Sequence, residues 1–365
     1  MTNSVYIHIP FCSKICSYCD FCKIYYNEKL ASNYLDALEN EIKERYNNED
    51  IYTLYIGGGS PSSLSIDNLK KLLNITKMFK LDKLKEFTVE LNVEDINEDK
   101  LILLKENKVN RVSIGIETIN KEGQKLFNRE YSKELITKNI NLVRKYFNNI
   151  NLDLIYAFPN ETIDILEEDI NFITSFNPEH ISCYSLIIED HTILGNNNIK
   201  NVDEELDYKM FELIRNKLKE MGYNHIEISN YSKEGFEPIH NMVYWTNNHY
   251  YGFGASASGY IDNIRYTNTK NVFKYIRGDY KYEEDVLDLN RVIENEMILG
   301  LRLIKGIDKK EFFNKYNKNI EDIYDIKELI SKGLLISNTD RLYIPEDKLY
   351  ISNSILVNFI GDEYE

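Results

Sequence analysis

The chain has 365 residues, of which 43% are hydrophobic and 28% charged, and its formal net charge is -15. This composition is typical of a globular protein with one large and one small domain, or with two to three average domains. The acidic excess argues against a broad nucleic-acid-binding surface, because such surfaces need clustered Lys and Arg.

No targeting or membrane segment is expected in this sequence. It contains no run of about 18 apolar residues, and its N-terminus lacks the basic and then apolar pattern of a secretory signal. We therefore predict a cytoplasmic protein. In a reducing compartment, clustered cysteines indicate metal or redox chemistry rather than disulfides.

Six short strands separated by helical patterns are predicted in the first half of the chain. They are rich in β-branched and aromatic residues and nearly continuously apolar, which is typical of strands covered on both faces. The predicted strands are 5–9, 53–57, 87–92, 111–116, 151–158 and 180–187, with helices between them at 65–79, 97–106, 132–146 and 162–176. This alternation predicts right-handed βαβ units and a parallel sheet, either open or partly to fully closed into a barrel.

The segment after the first strand contains four of the five cysteines. Cys12, Cys16, Cys19 and Cys22 have the spacing C-x3-C-x2-C-x2-C. Structural zinc sites usually split their ligands into two separated pairs, and thioredoxin-like chemistry needs only one C-x-x-C. Several thiols in one loop are typical of iron–sulfur ligation, and a zinc knot is the alternative. Cys183 lies in an apolar stretch and is predicted to be a buried core residue.

Polar and glycine residues follow the other predicted strands. They are Gly57–Ser63 (GGGSPSS), Glu90, Asn92, Glu117, Thr118 and Asp153. Ligands of parallel α/β folds bind beyond the C-terminal ends of the strands. These residues and the cysteines are therefore predicted to surround one ligand-binding opening at that end of the sheet, which we call the mouth.

The pattern changes in the second half of the chain. A strong amphipathic helix is predicted at 203–221, and an aromatic, glycine-rich region follows at 223–261. From about Leu287 we predict helices and then a strand pair, which together favour a small winged-helix-like α+β module without a basic DNA-recognition helix. The predicted segments are 1–200, 201–285 and 286–365.

The C-x3-C-x2-C motif after the first strand resembles the signature of the radical SAM superfamily. The resemblance implies a partial (three-quarter) TIM-like β/α barrel of about six parallel strands. It also implies a [4Fe–4S] cluster, S-adenosylmethionine on the open fourth iron, and a low-potential electron donor. On this resemblance Cys12, Cys16 and Cys19 are the cluster ligands. Cys22 is then not a ligand when the cofactor is bound, because it would fill the open iron.

The rim residues resemble the coproporphyrinogen-oxidase-like branch of the superfamily. The resemblance implies S-adenosylmethionine contacts from Tyr6 (YIHIPFC), Tyr18, Gly58, Gly59 and Ser60 (GGGSP), Glu90 (VELN), Glu117 (SIGIE), Arg129 (NRE) and Asp153 (NLDLIY). Position 117 departs from the pattern of the branch, which usually has Gln, so an extra negative charge is expected near the cofactor.

Two groups of proteins share these motifs. The oxygen-independent coproporphyrinogen III oxidases decarboxylate two propionates, whereas the HemW group is thought to bind heme and hand it to acceptor proteins. Here the first strand begins at Val5 without the N-terminal extension of the oxidases, and Cys22 stands one residue later than their fourth cysteine. Both features favour the heme-carrier group.

The segment HNMVYW at 240–245 matches the H-N-x-x-Y-W motif of the HemW group, which has been proposed to bind heme. On this resemblance His240 is an axial ligand, and Tyr244 and Trp245 stack on the macrocycle. The alternative is a strand whose His and Trp only pack.

We predict a heme carrier with unidentified acceptors. The first alternative is a coproporphyrinogen III oxidase, and the second is a zinc- or cluster-stabilised binding module without radical chemistry.

Overall fold

The computed structural model describes residues 2–197 and 199–361. Residues 1 and 362–365, the outer ends of the first and third predicted segments, lie outside the described residues. The first half contains strands β1 (Ser4–Ile9), β2 (Phe11–Cys12), β3 (Ile24–Tyr25), β4 (Thr53–Gly58), β5 (Glu86–Asn92), β6 (Arg111–Glu117), β7 (Ile150–Tyr156) and β8 (His180–Ser185). Its helices are α1 (Glu28–Arg45), α2 (Ile66–Thr76), α3 (Glu98–Glu106), α4 (Lys121–Phe127), α5 (Lys133–Arg144) and α6 (Ile163–Thr174).

The second half adds shorter elements. Its strands are β9 (Asn224–Glu227), β10 (Asn230–Ser232), β11 (Tyr251–Phe253), β12 (Ser258–Ile261), β13 (Ile264–Asn268), β14 (Lys281–Val286), β15 (Ile307–Asp308), β16 (Ile336–Ser337) and β17 (Arg341–Tyr343). Its helices are α7 (Ile193–Asn196), α8 (Glu204–Glu220), α9 (Ile239–Trp245), α10 (Val272–Ile276), α11 (Leu289–Gly300), α12 (Lys309–Tyr316), α13 (Lys327–Ser331) and α14 (Ser352–Leu356). Short 3₁₀ helices occur at Pro61–Ser63, Val93–Asp95, Ile320–Asp322, Glu346–Ile351 and Val357–Phe359.

The helices between the parallel strands begin where the sequence signals a cap. The side chains of Ser65, Asn97, Ser132 and Thr162 each accept a hydrogen bond from the backbone N–H three residues later. No helix among the described residues is long and apolar enough to cross a lipid bilayer.

The main sheet has nine strands in the order β11-β1-β4-β5-β6-β7-β8-β10-β9. The six predicted strands are its centre and are mutually parallel. β7 and β8 each end two residues earlier than predicted. The strands that sequence reasoning missed lie at the two ends of this order, where β11 pairs parallel with β1 and β10 pairs antiparallel with β8.

The central strands are covered on both faces, as predicted, but only one of the two faces is apolar. Their side chains alternate: one set joins the helices in the main hydrophobic core, and the other set is polar. The polar set is Ser4, Tyr6 and His8; Thr53 and Tyr55; Thr88, Glu90 and Asn92; Arg111 and Ser113; Asn151 and Asp153; His180 and Ser182. We call this the polar face of the sheet.

The C-terminal part has its own hydrophobic core, which includes Met297, Phe312 and Leu342. Its order is α11, β15, α12, α13 and then the β16–β17 hairpin, with β15 paired to β17. The predicted strand pair is present, and the added strand β15 completes the three-stranded sheet of the predicted winged-helix-like module.

Candidate functional site

The four clustered cysteines lie in a loop that a short parallel ladder closes at its base. Strands β2 and β3 pair side by side, and the Tyr26 N–H donates to the Cys12 carbonyl at 2.9 Å. Cys12 is buried, whereas Cys16, Cys19 and Cys22 are half-buried. The loop follows β1 directly, as predicted, so its thiols lie at the C-terminal ends of the parallel strands.

The first three thiols are close enough to affect one another. Burial raises the pKa of Cys12 to about 12, with Cys16 and Cys19 adding to the shift, while Arg129 opposes it. Burial likewise raises the pKa of Cys16 to about 11. The thiols are therefore protonated near neutral pH, and a bound metal would displace these protons.

The donor set fits an iron–sulfur cluster, because the three thiols share one loop beside a guanidinium. Within residues 2–197 and 199–361, no three Cys, His, Asp or Glu side chains surround a position for a single ion.

Cys22 contacts other parts of the chain. Its Sγ donates to the Lys270 carbonyl at 3.1 Å, and its own carbonyl lies 2.9 Å from Nε2 of His8. These contacts connect the cysteine loop to the second half of the chain and to β1.

The glycine segment at the end of β4 is pressed against β1 and the cysteine loop. A Cβ on Gly59 would lie 2.9 Å from Sγ of Cys12, and a Cβ on Gly58, whose φ is +116°, would lie 2.6 Å from the His8 ring. The Ser60 N–H donates to the Phe11 carbonyl at 2.8 Å. Only glycine permits this approach, so the predicted Gly58–Ser60 segment does adjoin the first cysteine.

Tyr6 and Glu90 lie on the polar face close to this segment. The Tyr6 hydroxyl is 3.0 Å from Nδ1 of His8. Glu90 accepts hydrogen bonds from the Tyr55 hydroxyl at 2.8 Å and the Gly58 N–H at 2.9 Å. Burial raises the pKa of Glu90 to about 6, and these two hydrogen bonds act in the opposite direction.

Glu117 and Arg129 form a buried ion pair beside the cysteine loop. Nη2 of Arg129 is 3.4 Å from Oε1 of Glu117, and Nη1 is 3.9 Å from Oε1 of Glu94. The Tyr18 hydroxyl donates to Oε1 of Glu117 at 3.1 Å. Two carboxylates therefore surround one guanidinium at this side of the mouth.

Asp153 lies on the polar face, where β7 pairs with Gly115 of β6. It accepts hydrogen bonds from Ser113 Oγ at 3.1 Å and from the Asn151 side-chain amide at 2.7 Å. Burial raises its pKa. Of the predicted cofactor contacts, Asp153 is the one held mainly by other residues of the polar face.

The HNMVYW segment lies at the opposite end of the strands and is the helix α9 rather than a strand. Nδ1 of the fully buried His240 is 2.9 Å from Oγ1 of Thr53, the first residue of β4, and Nε2 is 2.7 Å from the Tyr244 hydroxyl. Trp245 is half-buried. The cysteine loop adjoins the other end of β4, about 16 Å away at the usual rise per residue. The structure thus does not bring the predicted heme residues to the predicted cluster.

Sequence reasoning missed five polar residues around the site: His8, Tyr55, Glu94, Arg111 and His180. All but Glu94 belong to the polar face. The alternation of polar and apolar residues along the strands is the sequence signal that could have revealed these four residues. Burial lowers the pKa of His8 to about 4, so its ring is neutral where it connects Tyr6 to the cysteine loop.

Two parts of the chain match known protein families. The family model of the radical SAM superfamily matches residues 6–173, and that of the HemN C-terminal domain matches residues 287–347. The chain is 37% identical to the heme chaperone HemW of Lactococcus lactis, covering 99% of this chain and 98% of that protein. It is 36% identical to the heme chaperone HemW of Bacillus subtilis, covering 99% of this chain and 100% of that protein.

The fold and the cysteine loop define a radical SAM protein, a class whose members hold a [4Fe–4S] cluster and S-adenosylmethionine. Within that class, the chain belongs to the HemW family.

A solved structure supports the fold assignment. Coproporphyrinogen III oxidase (HemN) from Escherichia coli superposes with a TM-score of 0.86 at 23% identity, covering 100% of this chain and 91% of that chain. The predicted α/β fold with a C-terminal module is confirmed.

Proposed function

We propose that this protein is a heme chaperone, which binds heme and transfers it to acceptor proteins. The observation that carries the proposal is its full-length similarity to relatives named heme chaperone HemW. The position of Cys22, whose thiol contacts Lys270, is consistent with a role outside the cluster.

In this proposal Cys12, Cys16 and Cys19 hold the cluster, which when bound supplies the electron for cleaving S-adenosylmethionine. The backbone at Gly58, Gly59 and Ser60 binds the amino group of the cofactor, and Arg129 pairs with its carboxylate. Tyr6, Tyr18, Glu90, Glu117 and Asp153 complete the contacts. The burial and spacing of these groups around one mouth support the assignment.

Glu117 competes with the cofactor carboxylate for Arg129. Glu117→Gln keeps an acceptor for the Tyr18 hydroxyl and removes the charge that occupies Nη2 of Arg129. We expect the affinity for S-adenosylmethionine to rise about three- to tenfold. Equilibrium dialysis of the anaerobically reconstituted protein measures this, with Glu94→Gln, at 3.9 Å from Arg129, as the weaker control. A loss of affinity in Glu117→Gln would contradict the pairing of Arg129 with the cofactor carboxylate.

The proposed heme residues are His240, Tyr244 and Trp245 on α9. Both ring nitrogens of His240 are already within hydrogen-bond distance of partners, and burial lowers its pKa to about 3, so its ring is neutral. Ligation of heme iron would therefore use Nε2 after the Tyr244 hydroxyl moves away.

Removing the Tyr244 hydroxyl should strengthen heme binding. Tyr244→Phe keeps the ring for stacking and deletes a hydrogen bond of roughly 1 kcal/mol, so the heme affinity should rise about fivefold. Heme titration followed at the Soret band measures it. Tyr250→Phe is the matched control, because Tyr250 packs on Tyr244 at 4.7 Å without bonding to His240. His240→Ala should remove the axial-ligand spectrum, and equal spectra for the parent and His240→Ala would exclude His240 as a ligand.

Further parts of the proposal concern location and partners. We propose a cytoplasmic protein, since cluster ligation needs reduced thiols, with a low-potential electron donor and unidentified heme acceptors. We also propose functional segments at 1–200, 201–285 and 286–365, consistent with a C-terminal family match that begins at 287.

The second candidate function is coproporphyrinogen III oxidation, which the close likeness of fold to that oxidase favours. Two assays on one reconstituted sample separate the functions: heme titration with transfer to apomyoglobin, and incubation with coproporphyrinogen III, S-adenosylmethionine and a reductant. We expect stoichiometric heme binding, transfer to apomyoglobin and no protoporphyrinogen. Protoporphyrinogen formation without heme binding would overturn the proposal.

A further inference from the structure

Arg111, the first residue of β6, is the only Lys or Arg in the six central parallel strands. It belongs to the polar face, and its side chain is 1% exposed. A guanidinium stays ionised under all ordinary conditions, so its burial requires a partner of opposite charge or several strong acceptors.

The residues around Arg111 do not supply that partner. Its Nη1 lies 3.4 Å from Thr88 Oγ1, and its Nη2 lies 3.1 Å from Nδ1 of His180. Its Nε has no hydrogen-bond partner, and neither has Nε2 of the fully buried His180. Among residues 2–197 and 199–361, no carboxylate forms an ion pair with Arg111. Two neighbouring side chains therefore each leave a buried polar atom unsatisfied, which is uncommon in a folded protein.

The carboxyl groups of Glu90 and Asp153, which lie within electrostatic range of Arg111, are hydrogen-bonded to other residues. Burial raises the pKa of Glu90 and of Asp153 while Arg111 opposes both shifts, so the guanidinium lies within electrostatic range of the two carboxyl groups. Both carboxyl groups accept hydrogen bonds from other neighbours on the polar face or at the end of β4. In the proposed function they also face the cofactor, which leaves Arg111 free for a different ligand.

Arg111 also lies near the proposed heme segment. The ring of His240 packs on Tyr55 of β4 at 5.2 Å between centroids, and Thr88 of β5 pairs with Tyr55 on one side and with Arg111 on the other. A ligand that reached His240 could therefore place an acidic substituent against the guanidinium.

We propose that Arg111, beside His180, binds a carboxylate of the ligand on the polar face, and that this carboxylate is a heme propionate. The guanidinium fork matches the two oxygens of a carboxylate and would satisfy the free Nε. The inference rests on the proposed function for the identity of the ligand, whereas the carboxylate site itself rests on Arg111 and His180.

The test compares heme with heme dimethyl ester, which lacks the two negative charges. For the parent protein we expect at least tenfold tighter binding of heme than of the ester. Arg111→Met should bring this ratio close to one, and Arg111→Lys should keep part of it. Arg144→Met is the control, because Arg144 pairs with Glu179 away from the polar face and should leave the ratio unchanged. Equal affinities of the parent for heme and ester, a comparison that needs no variant, would overturn the proposal.

A second experiment distinguishes a failure of the carboxylate site from a failure of the proposed heme function. Sodium propionate should raise the melting temperature of the parent and not that of Arg111→Met. If the parent binds no heme but shows this shift, the carboxylate site stands and the heme function falls. If the parent binds heme and its ester equally and propionate causes no shift, the heme function stands and Arg111 is solvated only by buried water.

Discussion

Replacing Cys16 by Ser should abolish the iron–sulfur cluster. Anaerobically reconstituted parent protein is expected to hold about four irons per chain, and Cys16→Ser close to none, because two thiolates of one short loop cannot hold the cluster. Iron and acid-labile sulfide analysis, with the visible absorption of the cluster, measures the loss. The half-buried position of Cys16 means that the substitution changes the donor and not the core of the fold.

Cys22→Ser is the matched control in the same loop. Its thiol donates to the Lys270 carbonyl, so the variant should retain the full iron content and the spectral change on adding S-adenosylmethionine. If Cys22→Ser lost as much iron as Cys16→Ser, the three-ligand assignment would be wrong. A parent protein that took up zinc and refused iron would support the zinc alternative.

Glu41→Ala should produce the largest loss of stability away from the site. Glu41 is fully buried on α1 and accepts hydrogen bonds from the Tyr275 hydroxyl, the Gly254 N–H and the Asn268 amide, and it pairs with Arg45 at 2.6 Å. Truncation leaves the Tyr275 hydroxyl and the Gly254 N–H without this acceptor in the interior and breaks the pair with Arg45, so we expect the free energy of unfolding to fall by about 3–5 kcal/mol.

Denaturant unfolding of the apo-protein checks this value. Glu39→Ala on the same helix is the control, because Glu39 forms only an exposed pair with Lys43 and should leave the unfolding midpoint unchanged. Glu41→Gln keeps the shape and one acceptor, so it should lie between the parent and Glu41→Ala. A Glu41→Ala midpoint equal to that of Glu39→Ala would show that residues 254–275 are not held by this carboxylate.

The sequence predicted the six central strands because their β-branched residues and their spacing by amphipathic helices are local signals. It did not reveal the polar face, because Tyr6, Tyr55 and Tyr184 count as apolar in a simple pattern and hide the alternation. Their phenol groups face the same side as His8, Glu90 and Ser182. A tyrosine that carries a hydrogen bond, such as Tyr55 to Glu90, acts here as a polar residue.

The helix α9 was hidden for a different reason. Its aromatic and β-branched residues favour a strand, and its first N–H groups are accepted by Glu86, which is more than 150 residues away in the sequence. Glu86 therefore caps α9 through tertiary structure, which local patterns do not record. The same contacts place His240 at the start of β4 and β5, which no motif spacing could have shown.

In the proposed function the cluster site and the heme site lie at opposite ends of one parallel sheet. Heme titration of Cys16→Ser tests it most directly, since this variant lacks the cluster and leaves α9 unaltered. We expect a heme dissociation constant within about threefold of the parent value. Loss of heme binding together with the cluster would contradict it and would place both groups at the same mouth.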